Sequence, residues 1–204
     1  MYGVRADLLH ADGTTKSVHE LAVEALAAVR STAQDAPLHL AGFSFGGLVA
    51  FEMARLSAAE GRPVEFLGLL DTLPPLAAMR PVERVAHQLA GQLSAVVPGL
   101  ADRPLREVLR QRFRPDSKPA DRQVLDRSGA VFAEHRLAPY TGPVTYFRAR
   151  SRVPVAGNVL TVWRRMAPGL TVEPAPGSHH DLLAARYVGE LGSRLSAAVQ
   201  RATS

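Results

Sequence analysis

Leu40-Ala41-Gly42-Phe43-Ser44-Phe45-Gly46-Gly47 is the stretch that decides how this chain is read. A short buried-strand candidate, Pro37-Leu38-His39-Leu40-Ala41, leads into it, and a helix fits Gly46 to Glu60 behind it. Gly61 and then Pro63 are the expected stop signals beyond that helix. A glycine-any-serine-any-glycine pattern between strand and helix puts the serine on a sharp, strained turn, with its hydroxyl above the sheet. Glycines at 42 and 46 leave room where the strand and the helix pass close together. The helix N-terminus lies beneath the serine, and its positive end favours an oxyanion there. Ser44 is therefore the candidate nucleophile, and the backbone N–H of Phe45 the candidate oxyanion donor.

Working outward, strand and helix patterns alternate. Tyr2-Gly3-Val4-Arg5-Ala6 is short and strand-like. Ser17, with Glu20 three residues later, makes a capping box for a helix carrying Val18, Leu21, Ala22, Ala25, Leu26 and Val29. Val64 to Leu70 is a nearly continuous apolar run, as a strand covered on both faces should be. The alternation then breaks. Between Leu73 and Pro139 three amphipathic segments (Val82–Leu93, Pro104–Phe113, Asp121–Leu137) are punctuated by prolines and read as a helical insertion. Gly142 to Phe147 resumes as a strand, followed by a helix with Trp163, a last strand Leu170–Glu173 and a closing helix marked by Ala184, Tyr187, Val188, Leu191, Leu195 and Val199. Alternating β and α argues a mostly parallel sheet with helices on its faces. No internal repeat is visible.

Composition narrows the function classes. With 204 residues, one domain is expected, and 47% apolar with 21% charged residues excludes a disordered or low-complexity chain. The absence of cysteine removes disulfides, thiolate metal sites and a cysteine nucleophile together. No apolar run reaches membrane-spanning length, and Met1 to His10 lacks the apolar core of a signal peptide, so a cytoplasmic chain with no membrane role is expected. The net charge is +5, and +4 of it gathers between Leu76 and Arg136, where ten arginines and Lys118 face seven acidic residues. That stretch is either a solvated set of helices or a docking surface for an acidic partner. A nucleic-acid reading has no motif behind it.

A serine hydroxyl needs a base. His10, His19, His87 and His135 fall in loops or on helices with no reason to lie near Ser44. His39 alternates with Leu38 and Leu40 and reads as a packed core residue. His179 and His180 follow the last strand, at the sheet edge where ligand crevices form, and either would serve. The base in turn needs an acid to set its tautomer. Asp71 ends the apolar strand Phe66–Leu70, 27 residues past the serine, at the carboxyl end of what should be the neighbouring strand. No Asp or Glu ends the strand Val144–Phe147. The order Ser, Asp, His is that of α/β-hydrolases.

Leu40 to Ala54 as a whole resembles the nucleophile region of the thioesterase domains that terminate nonribosomal peptide and polyketide assembly lines, somewhat nearer the peptide-synthetase side. Gly68-Leu-Leu-Asp-Thr-Leu-Pro-Pro75 is similar to their acid-bearing strand, and Tyr140 to Ala149 to the next one. Gly177-Ser-His-His-Asp-Leu-Leu183 resembles their Gly-Asp-His-x-x-Met-Leu loop, with Ser178 in place of the common Asp. The resemblance covers essentially the whole chain and implies an α/β-hydrolase fold with a lid at about 76–137. It places the base on His179.

It further implies that Ser44 attacks the thioester joining an acyl or peptidyl chain to a carrier protein's phosphopantetheine arm, with His179 as base and Asp71 orienting it. Hydrolysis or cyclisation would then release the product, with no metal and no cofactor beyond the carrier's own arm. Carrier proteins are usually acidic, which suits the arginine-rich lid. In that family a strand and a loop of His-Pro-Ala-Gly-Gly type precede the segment matching Tyr2, and the loop supplies the second oxyanion N–H. Neither is present here, so an incomplete copy of a longer protein is expected, with the Leu38–Ala41 edge unpaired unless Tyr2–Ala6 or another polypeptide fills it. Losing one oxyanion donor costs on the order of 10²–10³ in rate. The alternative is an impaired chain that only docks carrier proteins or a partner.

Overall fold

The structure, a computed structural model, describes residues 2–5, 7–32, 36–85, 129, 131–151, 158–179 and 181–203. Its elements are α1 (Val18–Thr32), β1 (His39–Phe43), α2 (Phe45–Ala59), β2 (Phe66–Leu70), a 3-10 turn (Leu76–Ala78), β3 (Val144–Ser151), α3 (Asn158–Met166), β4 (Leu170–Ser178) and α4 (Ala185–Ala202). The four strands form one sheet in the order β1-β2-β3-β4, every pair parallel. Most of the expected insertion at 76–137, including the segment 104–113, lies outside the described residues. Within it, 81–85 and 131–134 are helical.

Each element follows from local chemistry. At the start of α1, Ser17 N–H donates to Glu20 Oε2 at 2.7 Å and Glu20 N–H to Ser17 Oγ at 3.2 Å, the capping box read from the sequence. At the end of α2, Gly61 adopts φ 76°, a left-handed turn that costs glycine little. All five residues of β2 are buried, and their alternation feeds two cores. Leu67 and Leu69 pack with α1, α2, Val144, Tyr146 and, from α3, Val159 and Trp163. Phe66 and Leu70 pack with Phe147, Ala175 and, from α4, Leu191 and Ala198. Helices therefore cover both faces, and a parallel sheet needs both covered.

Three local expectations are corrected. Residues 2–5 form no strand, and Tyr2 and Val4 are 78% and 48% exposed. A two-apolar segment without a sheet partner has too little to bury. β1 is accordingly an edge strand of the described sheet. His39 is not a core residue. The alternation along β1 turns Leu40 inward and His39 outward, and His39 Nε2 lies 3.0 Å from Glu65 Oε2. The last strand runs on past Glu173 through Pro174 and Pro176. Among the described strands β4 pairs only with β3, so a proline can turn its missing donor to the open side.

Two features of α2 fix how it sits. A Cβ at Gly42 would lie 2.2 Å from the Gly46 carbonyl oxygen and 2.5 Å from Gly47 N, so strand and helix backbones touch there. Gly47 is equally confined, by Thr72 Oγ1 at 1.9 Å from its would-be Cβ. Further along, the buried Glu52 accepts from Arg55 Nε at 2.9 Å and Nη2 at 2.6 Å. His19 Nδ1 of α1 is 3.0 Å from its Oε1, and His135 Nε2 is 3.9 Å from its Oε2. Burial pushes the Glu52 carboxyl up, but the hydrogen bonds from Arg55 and His19 hold it below its ordinary 4.5. Burial also lowers His135, against the pull of Glu52.

Two outcomes follow. Gly42→Ala brings a methyl onto backbone rather than a yielding side chain, so soluble folded protein should be lost, as read by thermal melting or recovery in the soluble fraction. Glu52→Ala takes the acceptor away from Arg55 and His19, both of which can turn to solvent, and should cost about 1–3 kcal/mol in chemical denaturation at neutral pH. Both lowered groups bind protons more readily when unfolded, so the parent should lose stability on acidification. The loss begins below about 6.5 for His135 and below 4.5 for Glu52. Below about 4.5 the further drop should be smaller in Glu52→Ala, which has no carboxyl there to protonate.

Candidate active site

Ser44 sits between β1 and α2 with φ 52° and ψ −119°. For a residue with a side chain this is a strained backbone, of order 1–3 kcal/mol, and the surroundings must hold it. They do so from both sides. Ser44 N–H donates to Leu70 O at 3.0 Å, and Gly47 N–H donates to Ser44 O at 3.1 Å. The turn lifts the side chain off the strand's carboxyl end. Phe45 is the first residue of α2, so its backbone N–H has no acceptor within the helix.

Asp71 follows β2 directly and is the second described non-glycine residue at positive φ, 47°. Register places it beside the serine: Phe43, the last residue of β1, pairs with Leu70. Asp71 N–H donates to Phe147 O at 2.8 Å, which anchors it to β3. Its side chain is 1% exposed. One carboxyl oxygen, Oδ1, accepts from Ala149 N–H at 3.1 Å, so the carboxyl group cannot rotate freely. The other, Oδ2, is 2.9 Å from His179 Nδ1. Next along the chain, Thr72 O accepts from the buried indole Nε1–H of Trp163 at 2.8 Å, which ties this corner to α3.

His179 follows β4. Its Nε2 is 3.2 Å from Ser44 Oγ. A carboxylate only accepts, so the proton of the neutral ring belongs on Nδ1 and the Nε2 lone pair faces the serine hydroxyl. Phe43, the residue before the serine, lies against the imidazole, with ring centroids 4.9 Å apart and planes tilted by 30°. The ring that ends β1 thus packs against the base. Its closeness to His179 is not visible in the sequence, because it depends on β1 and β4 ending at one level. The His179 side chain remains 31% exposed, open to a substrate.

Ser44, Asp71 and His179 are thus brought together at the carboxyl edge of three parallel strands. His180 lies outside the described residues, as does His87. His10, His19, His39 and His135 face other partners: His10 and His19 lie by Glu20 and Glu52, His39 by Glu65 and His135 by Glu52. Among the described residues no cluster of His, Asp and Glu suits a metal ion, and no helix is long and apolar enough to cross a membrane.

Comparison with known proteins bears on the family and the fold. A family model described as the thioesterase domain matches residues 5–198. Vanchrobactin synthetase VabF of Vibrio anguillarum is 27% identical over 188 residues, which is 90% of this chain but 6% of that protein. The chain thus spans a small part of the length of the synthetases it matches. Among solved structures, the NocB thioesterase domain in covalent complex with a fluorophosphonate nocardicin G analogue superposes with a TM-score of 0.65 at 27% identity, covering 96% of this chain and 78% of that one. The RedJ thioesterase from the prodiginine pathway of Streptomyces coelicolor shares the fold, with a TM-score of 0.60 at 23% identity, over 89% of this chain and 70% of that one. The chain belongs to the thioesterase domain family and has its α/β-hydrolase-type fold.

Proposed function

We propose that this chain is a serine thioesterase that releases an acyl or peptidyl chain from the phosphopantetheine thioester of a carrier protein. The observation that carries this reading is the unbroken line from Ser44 Oγ through both nitrogens of His179 to Asp71 Oδ2. In the first step Ser44 Oγ bonds to the thioester carbonyl carbon while its proton passes to His179 Nε2. Asp71 steadies the resulting imidazolium without taking its proton. Negative charge moves to the carbonyl oxygen, where the Phe45 N–H at the start of α2 is the proposed donor. The C–S bond then breaks, the pantetheine sulfur leaves with the proton from Nε2, and an acyl-serine remains. Water, or a nucleophile within the chain, enters by the same route in reverse and frees Ser44.

Membership of the thioesterase domain family and the likeness to a nonribosomal peptide synthetase over most of the chain support the substrate class. A net charge of +5, most of it between Leu76 and Arg136, supports an acidic carrier as partner. The same arginine-rich charge would also serve a second reading, in which the chain docks a carrier without turning it over.

A fluorophosphonate probe separates the two. The parent should form an adduct on Ser44, seen by intact mass, and Ser44→Ala should form none. Asp71→Asn should slow hydrolysis of an acyl-pantetheine thioester by about 10³–10⁴-fold. A parent that takes no adduct and behaves like Ser44→Ala would leave only the docking reading. Equal cleavage of a plain oxyester would make the chain a general esterase instead.

A further inference from the structure

The turn that carries His179 is held by a carboxylate that no step of the proposed reaction uses. Asp181 Oδ1 accepts from the backbone N–H of Ser178 at 2.5 Å and from the Ser178 hydroxyl at 2.7 Å. In return Asp181 N–H and Leu182 N–H donate to Ser178 O at 3.2 and 2.9 Å. The residues on either side of His179 are thus tied by backbone and side chain at once. Asp181 Oδ2 pairs with the guanidinium of Arg186, which sits in the first turn of α4 and lies 4.8 Å from the Tyr187 ring centroid. Gly177, just before the turn, has φ 70°, and a Cβ there would meet Tyr187 Cε2 at 2.6 Å and Asp181 Oδ1 at 2.7 Å. Leu182, fully buried in the core beneath α4, pins the far end.

The geometry points to Asp181 as the positioning residue for His179: by clasping Ser178 and reaching Arg186, its carboxylate sets the height and angle of the imidazole between Asp71 and Ser44. The assignment rests on the proposed function in one respect, that His179 is the base. The imidazole itself is met by Asp71 at Nδ1, Ser44 at Nε2 and Phe43 on one face. Those contacts act at the tip of a side chain on a turn, and they hold only if the backbone beneath is placed to a few tenths of an ångström. Near-attack geometry is that demanding: a displacement of about 1 Å can cost on the order of 10²-fold in rate. Burial pushes the Asp181 carboxyl up, but the bonds from Ser178 and Arg186 bring it down to about 2, so the clasp is charged around neutral pH. A charged acceptor makes the stronger bonds.

The test uses the full chain and the variants Asp181→Ala, Asp181→Asn and Ser178→Ala, each assayed well below its own Tm. Two quantities are read. One is turnover of an acyl-pantetheine thioester, split into kcat and KM. The other is the hydrogen-bonded Nδ1–H resonance of His179 in 15N-histidine-labelled protein, which reports the Asp71 contact whether or not the protein turns over. Asp181→Ala should lower kcat by about 10- to 100-fold with KM within about twofold, and should broaden or abolish that resonance. Asp181→Asn keeps an acceptor for Ser178 and should lose less of both, and the double variant with Ser178→Ala should be no worse than Asp181→Ala alone. A purely structural role would lower Tm but leave kcat and the resonance at parental values, and that result overturns the assignment. Should Asp181→Ala fail to fold, Asp181→Asn decides on the same criteria. A parent inert to the fluorophosphonate would sink the hydrolytic reading instead, and the resonance alone would then judge Asp181.

Discussion

A residue with a side chain does not rest at φ 52° unless something holds it there. At Ser44 the holding is done by the close crossing of β1 and α2, which only glycine at 42 and 47 permits, and by bonds to Leu70 and Gly47. Relaxing that turn would drop the hydroxyl toward the sheet and away from His179. The rest of the molecule can be understood as what keeps this crossing under compression. Leu48, Phe51 and Ala54 press α2 into the larger core, and Glu52 ties it to α1 through His19.

Parallel strands make the second contribution. Because β1, β2 and β4 all point the same way, the residues that leave their carboxyl ends meet on one rim. Asp71 arrives there already fixed by Phe147 and Ala149 of β3, the strand that carries no member of the trio. β3 thus acts as a spacer and an anchor: it separates β2 from β4 and immobilises the acid by which the histidine is oriented. Trp163, buried against Phe51 and bonded to Thr72 O, braces the same corner from the helix layer.

Much of the site was legible in one dimension because its signals are local or directional. Glycines about a serine mark a strained turn, an apolar run ending in aspartate marks a buried strand with a polar exit, and a Gly-Ser-His-His-Asp run after the last strand marks a loop at the same edge. Choosing between His179 and His180 required the family resemblance, since both lie in one turn. The parts that were misread share a cause. His39 looked like core because alternation shows that two sets of residues face opposite ways but not which way is inward. Tyr2–Ala6 looked like a strand because periodicity does not reveal whether a partner edge is available. β4 outruns the expected end at Glu173 because only position in the described sheet shows an outer side open to Pro174 and Pro176.

By itself the sequence determined the order of elements, the strained serine turn, the aspartate one strand later and the family, because each of these depends on neighbours within a few residues or on patterns common to relatives. Tertiary structure alone decided the rest: that Phe43 backs the imidazole, that Asp71 is clamped by Ala149, and that His19 and His135 come to lie by Glu52. Those contacts join residues brought together by strand register and helix packing, and hydrogen bonds and ring contacts act over a few ångströms of space regardless of separation along the chain.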